Sequence, residues 1–177
     1  MTVAEKPAFA PPFAIFRGSN ARDYGADGPM YRAEGEETGG PIGGEALREA
    51  GMMDGSKVKL LYSRPGMSLT YVWFKSGYPL PRHSHNADCL YFIVAGTLRL
   101  GVEELGPGDG FFLGSDVPYT YVPGEQGVEV LEFRTSNRFD IKAPGMTAAW
   151  VEKALESLNA HHAAWAGEEN PSGMTVG

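Results

Sequence analysis

Two histidines one residue apart, His83 and His85, precede an apolar run in "PRHSHNADCLYFIVAGTLRLG", residues 81–101. Alternate residues of an extended strand share a face. This spacing can therefore aim two imidazoles the same way, which is how a protein holds a transition metal. Two ligands do not complete such a site. Cys89, the chain's single cysteine, leaves three roles open: a buried apolar thiol, a metal ligand or a reactive group. With no second cysteine, no intrachain disulfide forms.

The elements that must position these residues begin at Lys57. Short runs rich in β-branched and aromatic residues recur there: "KVKLLYS", "SLTYVWF", "CLYFIVA", "TLRLGV", "DGFFL", "PYTYV" and "VEVLEFR". Turn signals such as "RPGM", "GPGD" and "PGEQG" separate them, and no helical crossover is long enough for a parallel sheet. The pattern predicts an all-β sandwich or barrel. After Pro144 the period changes. Trp150, Ala154, Leu158 and Trp165 fall on one face of a helix over about residues 148–166, with Thr147 as cap and Gly167 as stop. That face is expected to pack on the barrel or on a neighbouring subunit, and the tail "EENPSGMTVG" reads as frayed. Residues 1–56 are rich in Gly and Pro, with one helical turn at "EALREA" and nine acids against five bases. Having no core of its own, this extension lies along the domain or reaches a second subunit. The division is therefore 1–56 extension, 57–135 barrel, and 136–177 linker, helix and tail.

At 177 residues, 42% of them hydrophobic, the chain suits one domain. Its net charge of −7 comes without any Lys/Arg-rich run, which argues against nucleic acid and anionic membrane surfaces as partners. No stretch has the apolar length to cross a bilayer. The N-terminus carries one lysine, and Pro11 and Pro12 break its apolar run, so it does not read as a secretory signal. A cytoplasmic protein is expected. No Ser-His-Asp set, phosphate loop or dinucleotide fingerprint is present; "GPGDG" is a tight β-turn.

Residues 77–96, "GYPLPRHSHNADCLYFIVAG", resemble the first motif of the cupin superfamily, with Gly77, His83, His85 and Gly96 in register. Residues 106–122, "GPGDGFFLGSDVPYTYV", resemble its second motif. The likeness spans roughly residues 57–135. It implies a double-stranded β-helix, or jelly-roll, barrel that is often dimeric, with a mononuclear metal site in its mouth. Two positions depart from the family pattern: Cys89 stands where the first motif supplies Glu, and Tyr119 where the second supplies His.

The resemblance makes His83 and His85 metal ligands and Cys89 a third, with buried packing as the alternative for Cys89. A thiolate beside imidazoles would favour a soft or borderline transition metal. Asp88 has the opposite strand parity to Cys89 and reads as a solvated turn residue. Tyr119 is a ligand as a phenolate, or, as a phenol, a group that orients substrate and transfers protons. Tyr91 shares the face of Cys89 and Ile93, while Leu90, Phe92 and Val94 point the other way. Tyr91, Tyr71 and Trp73 are candidate pocket walls, although ordinary packing competes for Tyr71 and Trp73. Glu132 is either an inward carboxylate or, more commonly for such a pattern, the exposed half of an alternating strand. His161 and His162 read as surface or interface residues. The expected protein is a homodimeric small-molecule enzyme with one divalent transition metal per subunit (zinc, iron, nickel or manganese). Its substrate would be small, apolar or aromatic and oxygenated, and its chemistry that of a dioxygenase, lyase or isomerase. The alternative is a metal-free binding or sensor module.

Overall fold

The computed structural model describes residues 12–24, 28–32 and 44–177. In chain order the strands and helices are β1 (Arg22–Asp23), β2 (Met30–Arg32), α1 (Gly44–Glu49), β3 (Ser56–Arg64), β4 (Met67–Phe74), β5 (Cys89–Leu100), β6 (Glu103–Leu105), β7 (Gly110–Leu113), β8 (Val122–Arg134), β9 (Phe139–Ile141) and α2 (Ala148–Trp165). One layer is an antiparallel sheet in the order β1-β3-β4-β8-β5-β6, with β7 also on β5. The second layer is shorter. His83 bridges Tyr119, Ser84 bridges Lys142, and β9 continues in parallel to β2.

Strand parity decides what lies between the layers. From β5, Cys89, Tyr91 and Ile93 are 2%, 1% and 0% exposed, whereas Leu90 and Phe92 are 52% and 47% exposed. Val72 and Phe74 of β4, Val128 and Val130 of β8, and Tyr119 and Tyr121 complete the same core. Helix α2 packs Val151, Ala154, Leu158 and Trp165 into the same core. Trp165 Nε1 donates to the Ser76 carbonyl at 2.8 Å. Burial of a side chain such as Val151 or Leu158 is worth about 1.5–3 kcal/mol. The Thr147 side chain accepts from Trp150 N, capping the helix as its sequence predicts. Since Trp165 is 1% exposed within its own chain, the helix face offers no reason for a subunit contact.

The closing glycine of the first motif has a physical reason. Gly96 has φ +72°, and a Cβ there would lie 2.2 Å from the Gly127 carbonyl oxygen. It sits where the β5–β8 register shifts, a bulge that only glycine fits.

Several expectations are corrected. "CLYFIVA" and "TLRLGV" form one bulged strand, β5, rather than two. "PYTYV" contributes a single bridge at Tyr119 before β8 begins. Residues 139–141, read as linker, form β9. The tail is not frayed: Val176 is 6% exposed, and Gly177 N donates to the Gly18 carbonyl. The described parts of residues 1–56 lie on this same barrel, through β1, β2 and the buried Leu47 of α1. The loop reading of residues 1–11, 25–27 and 33–43 falls outside the described residues.

Candidate active site

Strand β5 brings Cys89 and Tyr91 inward, and β8 brings Glu132 and Arg134 to face them across the register. The His83–Tyr119 bridge supplies the second wall. His83, His85 and Tyr119 are 6–8% exposed, while Tyr91 and Arg134 lie deeper at 1–2%.

The hydrogens of this cluster follow from its acceptors. His83 Nδ1 lies 2.8 Å from the Pro81 carbonyl. A carbonyl only accepts, so Nδ1 carries the proton and Nε2 is bare. Burial lowers the His83 pKa, which keeps the ring neutral. Tyr119 therefore donates its hydroxyl proton to Nε2, at 2.9 Å. Having given that proton, Tyr119 can only accept from Tyr91, at 2.5 Å. Tyr91 in turn accepts from Arg134 Nη2 at 3.2 Å, and Arg134 Nη1 donates to Glu132 at 2.5 Å. The result is a hydrogen-bond chain polarised one way, from the guanidinium to the imidazole.

Burial raises the pKa of Tyr91 and of Tyr119, so both stay phenols at rest. Burial opposes the Arg134 charge, but Glu132, with Tyr91, Cys89 and Tyr119 adding to it, holds that pKa well above the usual value. His85 donates from Nδ1 to the Asp140 carbonyl at 2.6 Å, which leaves its Nε2 as an acceptor. Burial, reinforced by the Arg134 charge, pushes its pKa down to about 3. The ion pair of the cluster is Arg134 with Glu132.

Cys89 belongs to the cluster but not as a thiolate. Burial pushes its pKa up to about 12, and its thiol lies 3.8 Å from the Leu90 carbonyl. Asp88 accepts from Ser115 N in a surface turn, at 2.8 Å. Among the described residues no three of His, Cys, Asp or Glu are placed to share a metal ion. The donors present, two imidazoles, a protonated thiol, a phenol and a carboxylate held by arginine, do not fit the expected mononuclear metal.

Tyr71 and Trp73 do not wall this site. They stand on the outer face of β4, packed with Val176 of the tail. Their parity is opposite to that of Val72 and Phe74. Glu132 is inward and 8% exposed: it shares the parity of the buried Val128 and Val130, while Leu131 faces outward. Arg134 went unread, although its parity with Val128, Val130 and Glu132 marks it as an inward arginine. Phe111, stacked on Tyr91 at 4.5 Å, and Phe139, 4.4 Å under the Arg134 guanidinium, supply the apolar walls. Tyr24 reaches in from the segment after β1 to bond Thr70 Oγ1 at 3.0 Å. His161 bonds the Ser157 carbonyl and His162 bonds Asp54, both on α2 and away from the cluster. A groove of about 440 Å³ lies elsewhere, among Thr97, Arg99, Glu104 and Glu125. It brings together none of these groups.

No family model and no curated protein matches the chain. Solved structures similar to it include an RmlC-like cupin from Shewanella frigidimarina, 21% identical, covering 48% of this chain and 79% of that one, with a TM-score of 0.45. KdgF from Halomonas sp. is 24% identical over 48% of this chain and 80% of its own, with a TM-score of 0.42. The polyketide cyclase RemF from Streptomyces resistomycificus is 18% identical over 59% and 84%, with a TM-score of 0.49. With two motifs in register, a two-layered antiparallel barrel and histidines set in its shorter layer, the chain has the cupin fold.

Proposed function

We propose that the barrel is a small-molecule enzyme that moves a proton, of the isomerase or lyase type. Tyr119 is its acid–base group and His83 the group that stores the proton. The observation that carries this reading is the one-way chain ending in Tyr119–His83. When a substrate C–H meets the phenol oxygen, the Tyr119 proton passes to His83 Nε2 and the oxygen takes the substrate proton. The products are an imidazolium, a phenol and a substrate carbanion. Return of the proton at a neighbouring atom gives an isomer, and loss of a leaving group gives a lyase product. The Arg134 charge, one tyrosine away, stabilises the transient phenolate. His85, neutral with a bare Nε2, accepts from a substrate hydroxyl. No step runs through a metal, because the donors present do not complete a site for one.

The test is exchange of α-hydrogens of small ketones in deuterated water, followed by NMR. Tyr119→Phe should slow exchange by about 10²–10⁴-fold while the fold is retained. Unchanged exchange in that variant overturns the proposal. Ketone binding to the wild-type protein without exchange would favour the binding-module reading.

The same reading extends to a homodimer. On the outer face of the sheet, Leu90 stands opposite Phe112 and Phe133. Leu90, Phe92 and Phe112 are 47–64% exposed, an apolar face that a second copy would cover. Light scattering should give twice the monomer mass; the monomer mass at micromolar concentration would sink this assignment.

A further inference from the structure

Arginine has five N–H donors. In Arg134, Nη1 bonds Glu132 and Nη2 bonds Tyr91, but Nε has no partner among the described residues although it is buried. An unsatisfied buried donor is rare and calls for a reason. Nε–H lies on the same edge of the guanidinium as Nη2, the nitrogen that reaches the Tyr91 hydroxyl. An acceptor on Nε–H would therefore sit close to the Tyr91–Tyr119 end of the chain.

We infer that Arg134 Nε–H takes the carbonyl oxygen of the substrate, and that the substrate is a small uncharged carbonyl compound with an apolar body. This rests on the acid–base reading above and deepens it. The charge count selects the class. Glu132 already balances Arg134, its carboxylate 2.5 Å from Nη1. A carboxylate would bring a second anion to a guanidinium that already has its counterion, in a site that sheds little charge to water. A neutral carbonyl completes the donor without adding charge. With the α-carbon at the Tyr119 oxygen, loss of its proton makes an enolate whose oxygen lies on the cation. Phe111 and Phe139 suit the apolar remainder.

The experiment uses the full chain and three probes of one shape: cyclohexanone labelled with carbon-13 at its carbonyl, cyclohexanol and cyclohexanecarboxylate. The ketone should bind best, and its carbonyl resonance should move downfield, the signature of a cationic donor on oxygen. Arg134→Lys keeps the charge and a partner for Glu132 but has no Nε–H. It should weaken ketone binding by about 10- to 100-fold and abolish the downfield shift. Should that variant not fold, the wild-type ranking of the probes decides alone. Preference for the carboxylate, failure of the ketone to bind, or a downfield shift that Arg134→Lys retains would overturn the inference. The Tyr119→Phe variant separates the two proposals. Lost exchange with the shifted resonance kept supports both, whereas exchange kept without Tyr119 sinks the acid–base reading and leaves the carbonyl site standing.

Discussion

Two buried carboxylates three residues apart on β8 lie on opposite faces of the same sheet, and their surroundings differ in kind. Glu129, 0% exposed, points outward under the tail. It accepts from Tyr71 Oη at 2.5 Å, Asn170 Nδ2 at 2.9 Å, Ser172 N at 2.6 Å and Ser172 Oγ at 2.8 Å. Its partners come from a neighbouring strand and from the tail, so the carboxylate is fully bonded and fastens one to the other, while the indole Nε1 of Trp73 on the same face has no partner among the described residues. Glu132 points into the barrel and holds one arginine, whose Nε is left without a partner among the described residues. A fully bonded carboxylate of this kind specifies structure, whereas the donor left on Arg134 lies in the cluster that carries the acid–base groups.

The largest effect should come from breaking the open cluster on one side. Arg134→Met leaves Glu132 without a counterion in the interior and should cost about 3–5 kcal/mol in urea denaturation. The double change Glu132→Leu with Arg134→Met should recover to within about 1–2 kcal/mol of the parent, because a buried ion pair offsets little more than its own desolvation. A double variant as unstable as the single one would make the inner pair structural, like Glu129, and erase the distinction.

Glu129→Leu comes next. It strands three side chains and one backbone N–H, so about 3 kcal/mol should be lost. The segment from Glu168 onward should become sensitive to protease while the barrel stays folded. The tail's second anchor, Glu168 bonded to Ser76 N and Oγ, is on the far side of Glu129 from Val176 and does not hold the last residues down. Continued protection of residues 170–177 would show that apolar packing of Val176 alone keeps the tail in place.

The third effect depends on pH. An unfolded imidazole binds a proton near pH 6.5, but His85 in the fold does so only at about 3. Between those values the unfolded chain holds more protons, so stability falls as pH falls from about 6.5. The loss from His85 reaches about 2 kcal/mol at pH 5, and the lowered pKa of His83 adds to it in the same direction. Thermal unfolding from pH 7.5 to 5 should show the decline, and His85→Gln should flatten it. An unchanged slope in that variant would place the acid sensitivity outside the inner cluster.

Much of this organisation was legible in the chain. Strand parity alone put Cys89, Tyr91 and Ile93 on one face, and the His-x-His spacing set two imidazoles in one wall. The helix with its Thr147 cap could be located to within a residue. These are properties of neighbours in sequence, governed by periods of 2 and 3.6. What local periodicity could not reach was the partner on the far side of each face. Tyr71 and Trp73 looked like pocket walls until the tail, over a hundred residues later, covered them. Glu132 looked like the solvated half of a strand until the pairing of β8 with β4 and β5 turned it into the barrel beside Arg134. Whether Cys89 is a thiolate, and which donor of Arg134 is left over, depends on groups from β5, β8 and the 83–119 bridge meeting in one low-dielectric space. Local sequence sets each residue's direction; only the packed barrel sets its company, and burial and charge pairing there decide the protonation states on which any chemistry depends.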